Sequence, residues 1–220
     1  MLRRLTAALS TLSVTASVAA LAVVSAATSS ATTAAAPAAA PPTPVILVNT
    51  LNDRCADIVG LRLGKVGDRV EQWYCRPGSY DNQQFLMWKT GTVGTAQRFM
   101  LQHGKGGLCV DARGSGRVAP GAALRLARCR STDNQHFLAV PVKGGNGSMF
   151  LVHEASKLCI DVTGTKSKAV RRALVLSRCN AKDDHLWKIV APSAAPVHPD
   201  PRAPKPVAPK PVVPAPAPAA

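Results

Sequence analysis

The sequence repeats one pattern of landmarks three times. Each copy opens with a cysteine and, two residues later, an aspartate, in the stretches DRCADIVG, GLCVDARG and KLCIDVTG. An apolar run precedes each of these cysteines, and a second cysteine follows each of them 20 residues later. Beyond the second cysteines come DNQQF, DNQHF and DDHLW. Landmarks in the same order, with first cysteines 54 and 50 residues apart, indicate an internal triplication.

The segments between these landmarks are typical of short strands. ALRLARC and ALVLSRC alternate leucine with polar or small residues, which is the period of a half-buried strand. Gly, Pro, Asn and Asp separate the apolar segments, as turns require, and no long amphipathic helix pattern occurs. We therefore predict an all-β fold of about four strands per repeat and about twelve strands in total. One repeat cannot bury its own apolar face, so the three should close around a pseudo-threefold axis.

Composition divides the chain around these repeats. The N-terminal stretch has a basic start, an apolar run softened by Ser and Thr, and small residues ending in VSA at Ala26, as in a secretory signal peptide. A retained membrane anchor is the alternative. Four segments are predicted: a signal peptide over 1–27, an Ala/Thr/Pro linker over 28–44, the repeats over 45–191 (units 45–92, 98–142 and 148–191) and a disordered Pro/Ala-rich tail over 192–220.

We therefore expect a secreted, extracellular protein without a membrane span in its mature form, and association with the cell wall as a further expectation. The repeat region carries 22 Lys and Arg against 11 Asp and Glu, a net charge of +11, which attracts polyanions. The five histidines are scattered, and the sequence lacks a nucleophile elbow, an HExxH helix and a phosphate loop. We predict that the protein is not an enzyme and needs no cofactor.

Three units of C-x-D, C and (N)Q-x-(F/W) resemble the ricin B-chain type lectin family, over about 45–190. The resemblance implies a β-trefoil fold and sugar binding. It also implies that the aspartate of each unit anchors the sugar. An aromatic platform is expected two residues before the second cysteine, and an asparagine just before the glutamine.

The first unit has the expected residue at every one of these positions. In the second and third units the platform is replaced by Ala127 and Ser177, and in the third Asp184 stands in place of the asparagine. The predicted carbohydrate-binding residues are Asp57, Glu71, Trp73, Arg76, Asn82 and Gln83 in the first unit, Asp111 and Asn134 in the second, and Asp161 in the third. The alternatives are an aspartate that only stabilises a turn and a Trp73 that only packs.

The remaining landmarks favour structural roles. Six cysteines in an exported chain favour disulfides over a metal site, since their spacing does not fit a zinc knuckle. We expect the aromatic residue of each DNQQF-type stretch in the core, and the residue two before it to bond backbone. The predicted disulfides are Cys55–Cys75, Cys109–Cys129 and Cys159–Cys179, the predicted core residues are Phe85, Phe137 and Trp187, and the predicted turn-bonding residues are Gln83, Gln135 and His185.

The predicted function is non-catalytic carbohydrate binding, mainly through the first repeat. The alternative is a basic trefoil that binds an anionic polymer, such as a cell-wall polymer, a sulfated glycan or nucleic acid, by electrostatics. Its support is the net charge and the basic run from Lys166 to Arg172. The sequence predicts neither the sugar nor the oligomeric state.

Overall fold

The computed structural model describes residues 40–61, 63–78, 82–131 and 134–199. These residues form twelve β-strands and one short 3₁₀ helix, so the predicted all-β class is confirmed. The predicted signal peptide, most of the linker and the tail beyond residue 199 lie outside the described residues. None of the helices in the described ranges has the length and apolarity needed to cross a membrane.

The strands fall into three groups of four, one group per repeat. In chain order they are β1 Thr43–Asn49, β2 Arg54–Ile58, β3 Val70–Tyr74, β4 Phe85–Val93, β5 Ala96–His103, β6 Cys109–Ala112, β7 Leu124–Ala127, β8 Phe137–Pro141, β9 Met149–His153, β10 Cys159–Val162, β11 Arg172–Ser177 and β12 Leu186–Val190.

The pairing of the strands has threefold symmetry. The first and fourth strands of each repeat pair antiparallel, as in β1–β4, β5–β8 and β9–β12. The fourth strand of each repeat also pairs with the first strand of the next, and β12 returns to β1. Six strands thus close into a barrel, and the hairpins β2–β3, β6–β7 and β10–β11 complete the three units. This is the predicted β-trefoil.

The core lies where the repeat predicts it. Phe85, Phe137 and Trp187 are fully buried in one hydrophobic cluster, and the Trp187 indole N–H donates to the Ile160 carbonyl. All three predicted disulfides are present, each with its Cα atoms about 5 Å apart. Each disulfide joins two cysteines of one repeat that are 20 residues apart in the sequence. In the chain-entropy model, closing a loop of this length stabilises the fold by roughly 3 kcal/mol.

The structure differs from the predicted boundaries at both ends of the domain. Strand β1 begins at Thr43, inside the predicted linker. The first eight residues of the predicted disordered tail, 192–199, are described; they begin with the 3₁₀ helix Pro192–Ala194. Ala195 is buried against the first disulfide, and the Cys75 backbone N–H donates to His198 Nδ1 at 2.9 Å. The physical reason is that this segment still has an apolar residue to bury and a side-chain acceptor for a backbone donor.

Candidate functional site

The β2–β3 hairpin of the first repeat presents a polar face. In its antiparallel register Asp57 lies opposite Glu71, and Cys55 lies opposite Trp73. Side chains alternate along a strand, so these four share one side of the hairpin. The intervening residues on the other side, Ala56, Ile58 and Val70, are buried in the core. The apolar side therefore fixes the orientation of the polar side.

A cavity of about 270 Å³ opens over this face. Four of the predicted site residues line it, namely Asp57, Glu71, Trp73 and Arg76. The other lining residues are Val59, Gly60, Leu61, Arg69 and Arg171. The cavity thus combines two carboxylates, three guanidinium groups and an indole in one small space.

Asn82 and Gln83 belong to the structure beneath the cavity and are not among its lining residues. Both side chains are fully buried. Gln83 Nε2 donates to the Tyr74 carbonyl at 2.7 Å and to Asp57 Oδ2 at 3.3 Å, and its Oε1 accepts the Arg76 N–H. Asn82 Nδ2 donates to the Gly60 carbonyl at 2.6 Å. These amides position Asp57 and the rim of the cavity.

Trp73 offers a smaller open surface than an aromatic platform requires. The residue is 8% exposed. Tyr74 meets its ring edge-on at 5.8 Å, and the Arg171 guanidinium lies 5.3 Å from the ring centroid. Most of the indole therefore packs within the protein, and the part that reaches the cavity is shared with a cation.

Arg171 reaches the first repeat from the hairpin of the third. Its φ of +62° lies in the left-handed region, where the equivalent residues of the other repeats are glycines, Gly67 at +92° and Gly121 at +89°. The Arg171 backbone N–H donates to the Gln72 carbonyl at 2.9 Å. Gln72 Nε2 in turn donates to the Ser167 carbonyl at 3.0 Å. Sequence reasoning noted the basic run but missed this residue; the glycine at both equivalent positions is the signal that could have found it.

The side chains that line the cavity carry more positive than negative charges. Two carboxylates face the guanidinium groups of Arg69, Arg76 and Arg171. Burial raises the pKa of Glu71, while the charges of Arg69 and Arg171 oppose that rise. Arg69 Nη2 lies 3.9 Å from Glu71 Oε2, too far for a short ion pair. Three guanidinium groups against two carboxylates give the lining of the cavity a net positive charge.

The second repeat lacks the same combination of groups. Asp111 lies opposite Arg125 in the strand register, and it accepts from Gln135 Nε2 at 3.0 Å. Asn134 is buried and donates to the Ala112 carbonyl at 3.0 Å. As in the first repeat, the aspartate accepts from the glutamine and the asparagine donates to a backbone carbonyl, but Arg125 and Ala127 take the strand positions of Glu71 and Trp73.

The third repeat holds a cluster of ionisable groups instead. His185 Nε2 lies 3.2 Å from Asp161 Oδ1. Asp184 is fully buried, and its Oδ2 accepts the Ser167 N–H at 2.8 Å. Burial and the neighbouring carboxylates of Asp161 and Asp183 raise the pKa of Asp184 to about 7. Asp161, predicted as a sugar ligand, therefore lies in an electrostatic setting that differs from that of Asp57 and Asp111.

Known structures share this fold at low sequence identity. The designed threefold-symmetric protein ThreeFoil is 20% identical with a TM-score of 0.59, over 67% of this chain and 97% of ThreeFoil. An agglutinin from Rhizoctonia solani is 16% identical with a TM-score of 0.53, over 71% of this chain and 99% of the agglutinin. An exo-β-1,3-galactanase from Clostridium thermocellum is 18% identical with a TM-score of 0.57, and 68% of this chain matches only 30% of that enzyme. These similarities show the fold alone.

Sequence comparison adds the family. No curated protein sequence matches the chain. The profile of the ricin-type β-trefoil lectin domain matches residues 43–187, which is more than half of the chain and includes all three repeats. The disulfides, the buried aromatic layer and the threefold strand pairing agree with that match. The chain belongs to the ricin-type β-trefoil lectin family.

Proposed function

We propose that this protein is a secreted, non-catalytic carbohydrate-binding protein whose first repeat holds one sugar residue. The observation that carries the proposal is the cavity over the β2–β3 hairpin, where Asp57, Glu71, Trp73 and Arg76 meet. Its volume of about 270 Å³ lies just below the roughly 300–1,000 Å³ of small-molecule pockets, which suits a single ring.

The chemistry of the cavity suits a polyhydroxylated ligand. An ionised carboxylate such as that of Asp57 accepts hydrogen bonds only, and it can accept from two hydroxyl groups at once. Arginine donates from a fixed fork to ring or hydroxyl oxygens. The exposed part of the Trp73 indole provides an apolar contact for the C–H groups of the sugar. Membership of a lectin family and three disulfides, which are typical of exported proteins, support the same proposal.

An Asp57→Asn variant tests whether the first repeat binds the sugar. Asparagine keeps the shape of the side chain, so the hairpin should fold, but it loses the charge that strengthens each hydrogen bond to a hydroxyl. We expect glycan affinity to fall by at least about tenfold, since a hydrogen bond to a charged group contributes roughly 1.5–3 kcal/mol. The measurement is titration of the full-length chain with the best ligand from a glycan array.

Asp111→Asn is the matched control. It removes the same charge from the equivalent strand of the second repeat, where no aromatic ring stands beside it. We expect its affinity to equal that of the wild type. Loss of binding in Asp111→Asn with retention in Asp57→Asn would contradict a site on the first repeat.

The excess of arginine in the same cavity favours a second candidate, binding of an anionic glycan. Arg69, Arg76 and Arg171 outnumber the two carboxylates. A carboxylate, sulfate or phosphate on the sugar would match these groups. Array binding at low and at moderate salt separates the candidates, because binding of a polyanion weakens steeply with salt and binding of a neutral sugar does not.

A further inference from the structure

The third repeat differs from the other two at a pair of adjacent positions beside its aspartate. The first repeat has Asn82 and Gln83 there, and the second has Asn134 and Gln135. The third has Asp184 and His185. Both differences replace a neutral amide with a side chain that can bind a metal ion. The first two repeats therefore provide an internal reference for what these positions do without such groups.

In the reference repeats the glutamine amide donates a hydrogen bond to the aspartate. Gln83 Nε2 lies 3.3 Å from Asp57 Oδ2, and Gln135 Nε2 lies 3.0 Å from Asp111 Oδ2. The asparagine in front of it donates to a nearby backbone carbonyl. The side-chain amide nitrogen of each of these four residues donates a hydrogen bond within its own repeat.

In the third repeat the same positions bring potential ligands together. His185 Nε2 lies 3.2 Å from Asp161 Oδ1. One ligand atom from each of Asp161, Asp184 and His185 falls within 4.8 Å of the other two. An asparagine at position 184 would offer an N–H to a neighbour, but the aspartate brings a second carboxylate next to that of Asp161.

Two polar atoms of this cluster are buried without a partner. Asp184 is fully buried, and no donor among the described residues reaches its Oδ1. His185 is also buried, and its Nδ1 has no hydrogen-bond partner among the described residues. A buried carboxylate oxygen without a donor is costly, and two adjacent carboxylates repel each other unless one is protonated and donates a hydrogen bond to the other. A cation placed between them removes both penalties.

We propose that Asp161, Asp184 and His185 bind one divalent transition-metal ion. Imidazole nitrogen with two carboxylate oxygens suits Zn²⁺ and its first-row neighbours, whereas Ca²⁺ and Mg²⁺ prefer oxygen ligands alone. An ion at about 2.0–2.2 Å from each ligand needs ligand atoms roughly 3.3–3.6 Å apart in a tetrahedral site. The His185–Asp161 pair has nearly this spacing at 3.2 Å, and rotation of the carboxyl groups closes the remaining distances.

The site has a route to solvent and support behind it. The Asp161 side chain is 14% exposed, so an ion and a water ligand can enter from that side. The Ser167 N–H holds the other oxygen of Asp184 at 2.8 Å and fixes its carboxyl group. This site lies in the third repeat and does not depend on sugar binding by the first.

Calorimetric titration of the full-length chain with ZnCl₂, after treatment with a chelator and its removal, tests the proposal. We expect one equivalent of Zn²⁺ to bind and Ca²⁺ not to compete. A variant combining Asp184→Asn with His185→Gln recreates the pair of the first two repeats, so it should fold with all three disulfides. Its Zn²⁺ affinity should fall by at least about 100-fold, since even the loss of a group behind a ligand lowers affinity 10–100-fold.

Two controls make the result specific. His185→Gln alone removes a single ligand and should weaken binding with less change to the packing of Asp184. His198→Gln removes a histidine that contacts the first disulfide instead, and it should leave Zn²⁺ affinity unchanged. The proposal is overturned if the wild-type chain binds no Zn²⁺, or if the Asp184→Asn, His185→Gln variant binds it as tightly as the wild type.

Discussion

Arg171 adopts a backbone conformation that the other two repeats leave to glycine. Its positive φ is strained for a residue with a Cβ, and such strain persists where the surrounding structure enforces it and often where function needs it. The backbone N–H groups of Gly67, Gly121 and Arg171 each donate to a strand of the neighbouring hairpin. The turn therefore forms with glycine, and arginine adds only the guanidinium group over Trp73.

Arg171→Gly should therefore raise stability and lower affinity for anionic glycans. Relief of the left-handed strain should increase the free energy of unfolding by about 1 kcal/mol, since the left-handed region costs roughly 1–2 kcal/mol for a non-glycine residue. Loss of the guanidinium group should weaken binding of an acidic glycan about tenfold or more. Denaturant unfolding and glycan titration measure the two effects.

Arg172→Ala is the control, because it removes the same charge from an exposed neighbour that does not line the cavity. It should change neither the free energy of unfolding nor the affinity for an acidic glycan appreciably. Equal weakening by Arg172→Ala would mean that net charge, and not the cavity, drives binding.

At the scale of elements, one turn recurs between the first and second strands of every repeat. The residue two before each first cysteine has a positive φ, +54° at Asp53, +66° at Gly107 and +61° at Lys157. The backbone N–H of each donates to a carbonyl four residues earlier, at 2.9–3.0 Å. Lys157 is exposed, so its side chain contributes little packing to offset the strain.

Lys157→Gly should increase the free energy of unfolding by about 1 kcal/mol, because glycine adopts this conformation without steric cost. Guanidinium unfolding without a reducing agent is the measurement, so that the disulfides stay closed. Gly107→Lys reverses the change in the second repeat, where a new Cβ would meet only Gln102 Nε2 at 3.8 Å. Gly107→Lys should lower the free energy of unfolding by a similar amount. An unchanged free energy of unfolding in both variants would show that the turn carries no strain.

At the scale of the whole molecule, buried histidines make stability depend on pH. His103 and His153 occupy equivalent positions at the ends of β5 and β9, where the first repeat has Asn49. Both are fully buried, and burial lowers the pKa of each below its usual 6.5. Because the folded state favours the neutral ring, the stabilisation is present above pH 6.5 and is lost as the pH falls from there toward the folded-state pKa.

These two groups should lower the melting temperature of the wild type between pH 7.5 and pH 5. The raised pKa values of Glu71, Asp161 and Asp184 act in the opposite direction, since an acid of that kind favours folding at lower pH. Comparison with His103→Asn and His153→Asn isolates the histidines, because asparagine occupies the same position in the first repeat. Each variant should show a shallower loss of melting temperature on acidification, and an unchanged slope would exclude these residues as its cause.

The sequence by itself determined what depends on periodicity and chain order. Repeated cysteines, alternating leucines and the buried Phe85, Phe137 and Trp187 were predictable, because a unit that cannot bury its own apolar face must be completed by its copies. Asp57, Glu71 and Trp73 were predicted as site residues from the resemblance to the lectin family, and the strand register of the structure puts them on one face of the β2–β3 hairpin.

Only the tertiary structure decided which side chains from different repeats meet. Nothing local to Trp73 indicates that Arg171, almost a hundred residues later, lies over its ring, or that Ala195 packs on the first disulfide. The physical reason is that a repeat encodes its own hydrogen bonds and apolar face, whereas contacts between repeats depend on closure of the ring.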